Sequence, residues 1–456
     1  MWEIQHDRTA TCEDVCKELC RKWNISPLVQ LLFGLRLHGK KLWLAGCRVL
    51  SDGVKYEFRI RFKIPKLSDL LHLDKNTYDY FYHQVRYDVL HNAIPEIAYP
   101  KYKNDILGLC VTDMYMEMIE HNRSFDYLKD NYKKYIPKEL AKHHSLFAFK
   151  AIKESLKSIK NQAHDVFYVK GIYLQQIDAK APNYLTEEYS GTTPFTKEDE
   201  LKELCPIKLQ IAPFHPEQPG LRVYYAHTNS WQHVSKFADF YTIQIDEEVK
   251  DQVSLEIQNS PLGFPITMTS SAEIESFVSC VSGYYRLMVK WHWDLCSQLA
   301  SPSLKFLTDR KIHGPIGGDY SYNKIEEKGA SAGSSVGTFI IRQCEKVFDT
   351  FYIDIHTKED KRETFKIIYK QTEVGDQWTL FANETKRNCR GITRSPTLPR
   401  ITALRARSTS PPMAQIDAKR TEQISTTAVY SPPRPSTRTL HRPARQRLTS
   451  KTAGRA

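Results

Sequence analysis

The sequence predicts an α+β protein of several domains followed by a polar tail. Three observations support this: two strand-rich regions each carry an amphipathic helix, a mostly helical segment separates them, and the composition changes sharply near residue 390. The chain has 456 residues, and this length allows three or four domains of about 100–150 residues each. With 41% apolar residues, it is rich enough to bury several cores.

The first segment, residues 1–66, is predicted to form one helix followed by strands. Thr11 is placed to cap this helix, and Asp14 lies in its first turn. The apolar face of the helix recurs at helical spacing: Cys12, Val15, Cys16, Leu19, Cys20 and Trp23. Apolar and charged residues then alternate through residues 56–64, which is typical of a half-buried antiparallel strand.

The second segment, residues 67–182, is predicted to be mostly helical. Helical patterns of apolar residues run through 78–91, 106–119 and 146–159. Residues 183–203 follow, with Gly191, Pro194 and six acidic residues, and this composition indicates a linker or long loop.

The third segment, residues 204–300, returns to strands and ends in a long helix. Ser270 and Glu273 have the spacing of a capping box, and apolar residues then keep helical spacing as far as Leu295.

The fourth segment, residues 311–389, combines a short helix with three strands. Its helix is predicted at 320–328, and its strands at 338–342, 350–356 and 363–370.

The fifth segment, residues 390–456, is predicted to be a disordered basic tail. It has 8 Pro, 18 Ser or Thr and one aromatic residue, so it cannot bury enough apolar area to offset chain entropy. Its 14 basic and two acidic residues account for the whole net charge of +12. The excess charge is therefore weak evidence for a nucleic-acid partner, and we expect no specific one.

The sequence carries no catalytic signature that we recognise. It has no phosphate-binding G-x-x-x-x-G-K-[ST] or G-x-G-x-x-G loop, no H-R-D or D-F-G pair, and no metal-binding H-E-x-x-H or paired C-x-x-C motif. We therefore expect no cofactor, no metal and no enzymatic activity of this chain itself. The start shows neither a signal peptide nor a long uncharged stretch, so a cytoplasmic location is expected.

One basic helix face stands out in the otherwise neutral body. Its members are three or four residues apart: Lys150, Lys153, Lys157 and Lys160. Such a row is commonly a solvated face. The alternative is a surface that lies against anionic lipid headgroups at the inner face of the plasma membrane or of endomembranes.

Several spaced motifs carry a resemblance to known families. The helix sequence YFYHQVRYDVL, residues 80–90, resembles the helix that opens the middle lobe of FERM domains. The stretch ESFVSCVSGYYRL, residues 275–287, is similar to a helix of Janus kinases. His313-Gly314-Pro315-Ile316 resembles the Janus kinase entry to an SH2-like domain, and residues 337–342 resemble the SH2 strand that carries the phosphate-binding arginine.

The resemblance to invertebrate-type Janus kinases implies a domain plan. Residues 1–66 would be a ubiquitin-like lobe, truncated at its N-terminus because Met1–Ala10 is too short for a two-strand hairpin. Residues 67–182 would be the helical lobe, and 204–300 a pleckstrin-homology-like lobe. Residues 311–389 would be an incomplete SH2-like domain, and the 67 residues that follow are too few for a pseudokinase or kinase domain.

The resemblance also assigns Arg342 to the phosphate-binding position. An arginine fork can bind a phosphate or carboxylate with two parallel hydrogen bonds. However, Gln343-Cys344-Glu345 replaces the usual small hydroxyl residues, and Thr364 replaces a usual histidine. Phosphotyrosine binding therefore competes with a structural or carboxylate-binding role.

The resemblance implies a non-catalytic module that binds the membrane-proximal tail of a cytokine-type receptor in JAK-STAT signalling. The receptor peptide would lie across the helical lobe, held by apolar side chains, and an acidic receptor residue could meet Arg342. Two alternatives stay open. One is a fragment of an active non-receptor tyrosine kinase, and the other is a FERM adaptor between membrane and cytoskeleton.

Overall fold

The structure is a computed structural model. It describes residues 9–159, 164–196, 202–249, 251–258, 260–358, 361–372, 375–382, 385–387 and 407–408. Most of the predicted tail therefore lies outside the described residues, as does Lys160. Among the described helices, none combines the length and the apolar character that crossing a membrane requires. The predicted α+β class with several lobes is confirmed.

The first lobe combines one helix with a two-stranded antiparallel sheet. Its elements are α1 (Cys12–Lys22), β1 (Phe33–Leu37) and β2 (Tyr56–Ile60). The predicted cap is confirmed: the Asp14 amide donates to the Thr11 hydroxyl at 3.3 Å, and the Thr11 amide donates to the Asp14 carboxylate at 2.9 Å. The three helix cysteines are buried, and burial raises the pKa of the Cys20 thiol to about 12. They are core side chains.

The second lobe is helical, as predicted. Its helices are α2 (Leu67–Leu73), α3 (Lys75–Leu90), α4 (Lys103–His121), α5 (Phe125–Asn131), α6 (Lys138–Ile159) and α7 (Val166–Lys180). α3 and α7 pack on each other, and both contact α2. Tyr82 of α3 and Tyr173 of α7 meet edge to face, with ring centroids 5.2 Å apart, inside the core.

The third lobe is a seven-stranded antiparallel sheet closed by one helix. Its strands are β3 (Glu187–Thr196), β4 (Lys202–Ala212), β5 (Gly220–Tyr225), β6 (Ser230–Ser235), β7 (Phe240–Ile245), β8 (Gln252–Ile257) and β9 (Ser260–Met268). They lie in the order β6-β5-β4-β3-β9-β8-β7, and α8 (Ser271–Met288) follows. α8 ends at Met288, so helical structure does not extend to Leu295 as the spacing predicted; the Leu295 carbonyl instead accepts a hydrogen bond at 2.7 Å from the Ile243 amide of β7.

The prediction of a linker at 183–203 is wrong for most of that segment. β3 occupies ten of these residues and pairs with β4 along its whole length. Its acidic residues have partners within the protein, since Glu187 pairs with Arg61 and Glu188 accepts from Gln210. Gly191 is required by a close approach, because a Cβ there would lie 2.5 Å from the Thr267 carbonyl oxygen of β9.

The fourth segment, together with the helix just before it, contains a third sheet, which is mixed because β10 pairs parallel to β11. Its elements are α9 (Pro302–Asp309), β10 (His313–Ile316), α10 (Gly318–Ala332), β11 (Thr338–Cys344), β12 (Thr350–Lys358), β13 (Lys361–Thr372), β14 (Gly375–Ala382), β15 (Thr385–Arg387) and β16 (Arg407–Ser408). The strands run β10-β11-β12-β13-β14-β15, and β16 lies beside β11. Among the described residues, no helix follows β14. The incompleteness of this domain stays a prediction.

Several cores are present, and the largest crosses lobe boundaries. It runs from the first lobe through the helical lobe into the third lobe, so these three lobes share one apolar interior. The fourth segment has a separate cluster around Phe351 and Ile367. The tight contact of Gly283 with Phe62 shows how closely the lobes meet, because a Cβ on Gly283 would lie 2.2 Å from the Phe62 ring.

Candidate docking site

Arg342 lies on β11 with its guanidinium inside the fourth segment. The residue is 5% exposed. Its Nε donates to Asp354 on the neighbouring strand β12, and Nη1 donates to the Ile316 carbonyl at 2.8 Å. The Glu345 carboxylate lies 3.5 Å from Nη1, and the Tyr352 ring centroid lies 4.7 Å from the guanidinium carbon. Arg342 therefore already has anionic and aromatic partners within the protein.

The partner carboxylate is held in turn by its own neighbours. Asp354 is fully buried, and its second oxygen accepts from the Thr364 hydroxyl at 2.8 Å. Thr364 also lies 2.9 Å from the hydroxyl of Tyr322 on α10. A buried arginine and carboxylate with satisfied hydrogen bonds form a rigid unit that is costly to open. Arg342 and Thr364 were named from the sequence, but Asp354 was not. The residues around Asp354 have the pattern of an ordinary strand and give no sign of a charged partner.

This geometry bears on the ligand that was predicted for Arg342. A phosphate at this position would displace Asp354 and lie beside Glu345, so two like charges would oppose it. Ligand binding by Arg342 stays a prediction. The contacts within the protein favour the structural role among the alternatives left open by the sequence.

The loop between β11 and β12 contacts the first lobe. Lys17 of α1 donates to Asp349 at 2.9 Å, and Arg21 of α1 also pairs with Asp349. The Leu28 amide donates to the Glu345 carbonyl at 3.2 Å. Asp349 has a positive φ of 56°, which only a minority of non-glycine residues adopt, and asparagine and aspartate tolerate it best. The motifs identified in the sequence do not indicate this contact, because the partners Lys17 and Arg21 lie more than 300 residues away from Asp349 along the chain.

The polar residues of the QVR motif on α3 also have partners within the protein. Gln84 binds the main chain of Ile60 through both amide atoms, at 2.7 and 3.0 Å. Arg86 donates to Asp113 at 2.6 Å, and the Tyr82 hydroxyl donates to the same carboxylate at 2.6 Å. Burial raises the pKa of Asp113, although Arg86 and Tyr82 oppose that shift. These residues build the lobe rather than offer a free binding surface.

A buried cluster of charges joins the first and third lobes. Arg61 donates to Glu187 at 2.7 Å through Nε and to the Ser276 carbonyl at 2.7 Å through Nη2. Burial works against the charge on Arg61, but Glu187 raises its pKa above the ordinary arginine value. Arg59 and Arg61 are both buried, so the prediction of a half-buried strand is wrong at its end. The third lobe and α3 cover the face that the alternation assigned to solvent.

An apolar pocket opens beside this junction, between the first-lobe exit and helices α3 and α7. The side chains that line it include Ile64, Leu67, Phe81, Leu174 and Leu185. Lys63 and Asp178 form an ion pair of 3.1 Å at the pocket. Leu185 has a positive φ of 68°, a conformation that is uncommon for a non-glycine residue. The free volume of the pocket, about 30 Å³, has room for a small apolar group, such as the tip of a peptide side chain.

The predicted basic face lies on α6 for three of its four lysines. Lys150 and Lys157 are exposed, and Lys153 is half-buried. Ile152 and Leu156 are buried on the same helix, so the lysines lie away from the core. Lys160 lies outside the described residues. Within the described ranges, no group of three or more potential metal ligands converges.

Comparison with known proteins supports the predicted family. The chain is 30% identical to the tyrosine-protein kinase hopscotch of Drosophila melanogaster in an alignment of 451 positions, and the match covers 82% of this chain and 37% of the relative. It is 23% identical to the tyrosine-protein kinase JAK3 of Rattus norvegicus, covering 75% of this chain and 33% of that protein. For the tyrosine-protein kinase JAK1 of Danio rerio the identity is 22%, over 73% of this chain and 36% of the relative. No family model matches the chain.

Solved structures give a weaker likeness. Two structures of the Dictyostelium discoideum myosin VII MyTH4-FERM MF2 domain each cover 60% of this chain. One has a TM-score of 0.40 at 16% identity over 56% of that chain, and the other a TM-score of 0.41 at 14% identity over 54%. The chain spans about a third of the length of the kinases that it matches.

Proposed function

We propose, on the premise that this chain is homologous to Janus-family tyrosine kinases, that it is a non-catalytic receptor-docking module. It would bind the membrane-proximal cytoplasmic tail of a cytokine-type receptor in JAK-STAT signalling. The observation that carries the proposal is the match to hopscotch over 82% of this chain, in a segment without nucleotide-binding or catalytic-loop motifs.

The apolar pocket at the lobe junction supports a place for the receptor peptide. Its lining residues Ile64, Leu67 and Phe81 are partly exposed, so an apolar anchor side chain could enter without unfolding the lobe. The Lys63–Asp178 pair at the pocket can exchange its partners for polar groups of a peptide main chain. The guanidinium of Arg342 would stabilise the sheet of the fourth segment. It would therefore not be the main contact to an acidic receptor residue.

The lysines of α6 support the second part of the proposal, a peripheral position at an anionic membrane face. Exposed Lys133, Lys134, Lys138 and Lys142 precede them along the chain. Each lysine near an anionic surface contributes about 1 kcal/mol, and salt weakens the attraction. The module would then be cytoplasmic and held close to the receptor tail.

Isothermal titration of the full chain with membrane-proximal receptor peptides tests the docking proposal. We expect saturable binding that is weakened at least tenfold by Leu67→Glu, which places a charge in the apolar pocket. The matched control is Leu204→Glu, because Leu204 is 65% exposed and is not part of the pocket lining. Absence of binding by a folded sample, or equal loss in both variants, would contradict the proposal.

A second proposal rests on the share of the relatives that this chain covers. The chain spans only 37% of hopscotch, so it could be part of a longer non-receptor tyrosine kinase that this module brings to the receptor. Reading the gene beyond the codon for residue 456 decides between the two. An open frame with G-x-G-x-x-G and H-R-D motifs would support the longer enzyme.

A further inference from the structure

The outer face of the third-lobe sheet carries an arginine with unusual partners. Arg222 lies on β5 between the buried residues Leu221 and Val223, so its side chain is on the face away from the core. Its Nε donates to the side-chain oxygen of Gln218 at 3.0 Å, and Nη1 donates to that of Gln210 at 2.9 Å. Both acceptors are neutral amides, so they orient the guanidinium without neutralising its charge.

Arg222 differs in its partners from the other arginines. Among the residues that the structure describes, no carboxylate forms an ion pair with Arg222. Every other arginine with a described side chain forms such a pair: Arg21, Arg36, Arg48, Arg59, Arg61, Arg86, Arg123, Arg286, Arg310, Arg342 and Arg362. Burial lowers the pKa of Arg222, and the charge of Glu217 opposes this shift without reversing it. A partly buried cation without a paired anion is a candidate site for an anionic ligand.

The neighbouring loop and strand fix the position of this guanidinium. The Nδ1 of His215 accepts from the Gln218 amide at 3.1 Å, which folds the loop before β5 back on itself. The side chain of Gln218 then reaches Arg222. Gln210 is buried, and its own amide group donates to Glu188 at 2.9 Å. Because Arg222 is held before any ligand binds, less side-chain entropy is lost on binding.

Aromatic and basic side chains surround Arg222 on the same face. The guanidinium carbon lies 5.0 Å from the Trp231 ring centroid, and the rings of Tyr224 and Trp231 have centroids 5.6 Å apart. The strand register places His233 opposite Arg222. It places Lys208 opposite Tyr224, and both Lys208 and His233 are exposed. These residues form the Arg222 face: Lys208, Arg222, Tyr224, Trp231 and His233.

We propose that the Arg222 face binds an acidic peptide segment of a partner protein. A carboxylate of the peptide would pair with the remaining N–H groups of Arg222, and an adjacent apolar side chain would lie on the Trp231 ring. The charge of Glu217 reaches Arg222, and Glu188 binds the same Gln210 amide that orients the arginine. These two carboxylates oppose a phosphate dianion more strongly than a single carboxylate, so the peptide carboxylate is the favoured ligand.

This inference goes beyond receptor docking. The Arg222 face shares no residue with the apolar pocket that lies between the first-lobe exit and helices α3 and α7. Leu67→Glu, which blocks that pocket, should therefore leave binding at the Arg222 face unchanged. The failure of one proposal can thus be distinguished from the failure of the other.

Fluorescence anisotropy of the full chain with a labelled probe peptide tests the proposal. The probe alternates glutamate and phenylalanine, and a reference peptide has glutamine in place of each glutamate. We expect saturable binding of the probe, and binding at least tenfold weaker for the reference peptide. Arg222→Gln should also weaken binding of the probe at least tenfold, because it removes the charge-assisted hydrogen bonds.

The matched control is Arg123→Gln in the second lobe. It removes the same charge from an arginine whose side chain is 47% exposed, and it should bind the probe as the unaltered chain does. Absence of saturable binding, or equal affinity of the unaltered chain and Arg222→Gln, would overturn the proposal.

A local signal and a lipid control separate the proposed ligand from others. The indole N–H resonance of Trp231, assigned with Trp231→Phe, should shift when the probe is added to the unaltered chain. If Arg222→Gln does not fold, this resonance still decides, since an unchanged position would overturn the proposal. Vesicles of phosphatidylserine should bind the unaltered chain and Arg222→Gln equally. A loss of vesicle binding in Arg222→Gln alone would show a lipid phosphate at this face and would overturn the proposal.

Discussion

Two buried arginines make different kinds of connection in this protein. Arg61 joins lobes, because its fork binds Glu187 of the third lobe and the main chain of α8. Arg342 acts within one segment, because its fork binds Asp354 on the neighbouring strand and the Ile316 carbonyl. The family motif highlighted only Arg342. The difference shows that a motif arginine can support a local sheet, while an arginine outside every identified motif, directly after β2, connects the lobes.

The strongest test of this comparison is to remove the arginine at the junction. Arg61→Met should lower the free energy of unfolding by about 3–5 kcal/mol, because the Glu187 carboxylate, whose side chain is only 11% exposed, would be left charged without its cation. Chemical denaturation of the first three lobes measures the loss. The double variant with Glu187→Gln should recover part of it, whereas Lys55→Met at an exposed site should change little. A loss below about 1 kcal/mol would mean that the junction does not depend on this pair.

Removing the arginine of the fourth segment should cause a smaller loss of stability, and the loss should be confined to that segment. Arg342→Met should destabilise residues 311–387 by about 3 kcal/mol, because it leaves Asp354 buried without its cation. Hydrogen exchange of β11 and β12 should report the change while the first three lobes stay protected. Adding Asp354→Asn should recover stability. If Arg342→Met instead left stability unchanged but abolished binding of a phosphopeptide, Arg342 would be identified as a residue that binds the ligand.

Low pH should destabilise the fourth segment through His313, which the first three lobes do not contain. Burial lowers the pKa of His313 to about 4, and Lys324, His292 and Arg342 add unfavourable charge, although the hydrogen bond to the Gly314 carbonyl opposes the shift. The folded pKa lies below the unfolded value near 6.5, so the unfolded state binds the proton first. Stability of the fourth segment is then complete above about pH 6.5 and falls as the pH drops toward 4, by about 2 kcal/mol at pH 5.

Unfolding of the unaltered chain and of His313→Asn across this pH range measures that effect. Between pH 6.5 and 4, the free energy of unfolding of the fourth segment should change less with pH in the variant. The pH dependence of the junction around Arg61 should be the same in both proteins. An identical pH dependence in both proteins would show that His313 is not the titrating group.

The smallest expected effect concerns the contact between the two regions. Asp349→Asn should weaken the pairing of the β11–β12 loop with Lys17 and Arg21 by less than about 1 kcal/mol, because these side chains are about one-third exposed. Limited proteolysis within residues 345–349 should become faster, and high salt should reduce the difference. The control Asp376→Asn removes an ion pair with Arg310 inside the fourth segment. Equal cleavage in both variants would argue against a role of Asp349 in holding the loop.

Much of the fold followed from the sequence because its signals are local. The cap at Thr11, the helices of the second lobe and the strands around Arg342 each depend on spacing within one element. The strand at 187–196 was missed because its acidic residues have partners outside the strand: Glu188 accepts from Gln210 on β4, and Glu187 pairs with Arg61, which lies 126 residues away along the chain. Periodicity within a short window does not report such long-range pairing.

The site was less predictable than the fold for the same reason. The sequence placed Arg342 on the correct strand but could not show that Asp354 occupies its fork, since that pairing depends on the register of β11 and β12. Burial of Arg59 and Arg61 was also missed. Alternation shows that two faces of a strand differ, but it does not show whether a third element covers the polar face.

The side chain of Gln84 sets the rotation of α3 about its own axis. Both of its amide atoms bind Ile60, so one angular position of the helix satisfies the strand. An α-helix turns by about 100° per residue. A single residue inserted between Lys75 and Gln84 would therefore turn either Gln84 away from β2 or Tyr82 out of the core. In this lobe, hydrogen bonds to a neighbouring strand fix the rotation of the helix about its axis. Insertions or deletions in α3 should therefore be tolerated only after Leu90.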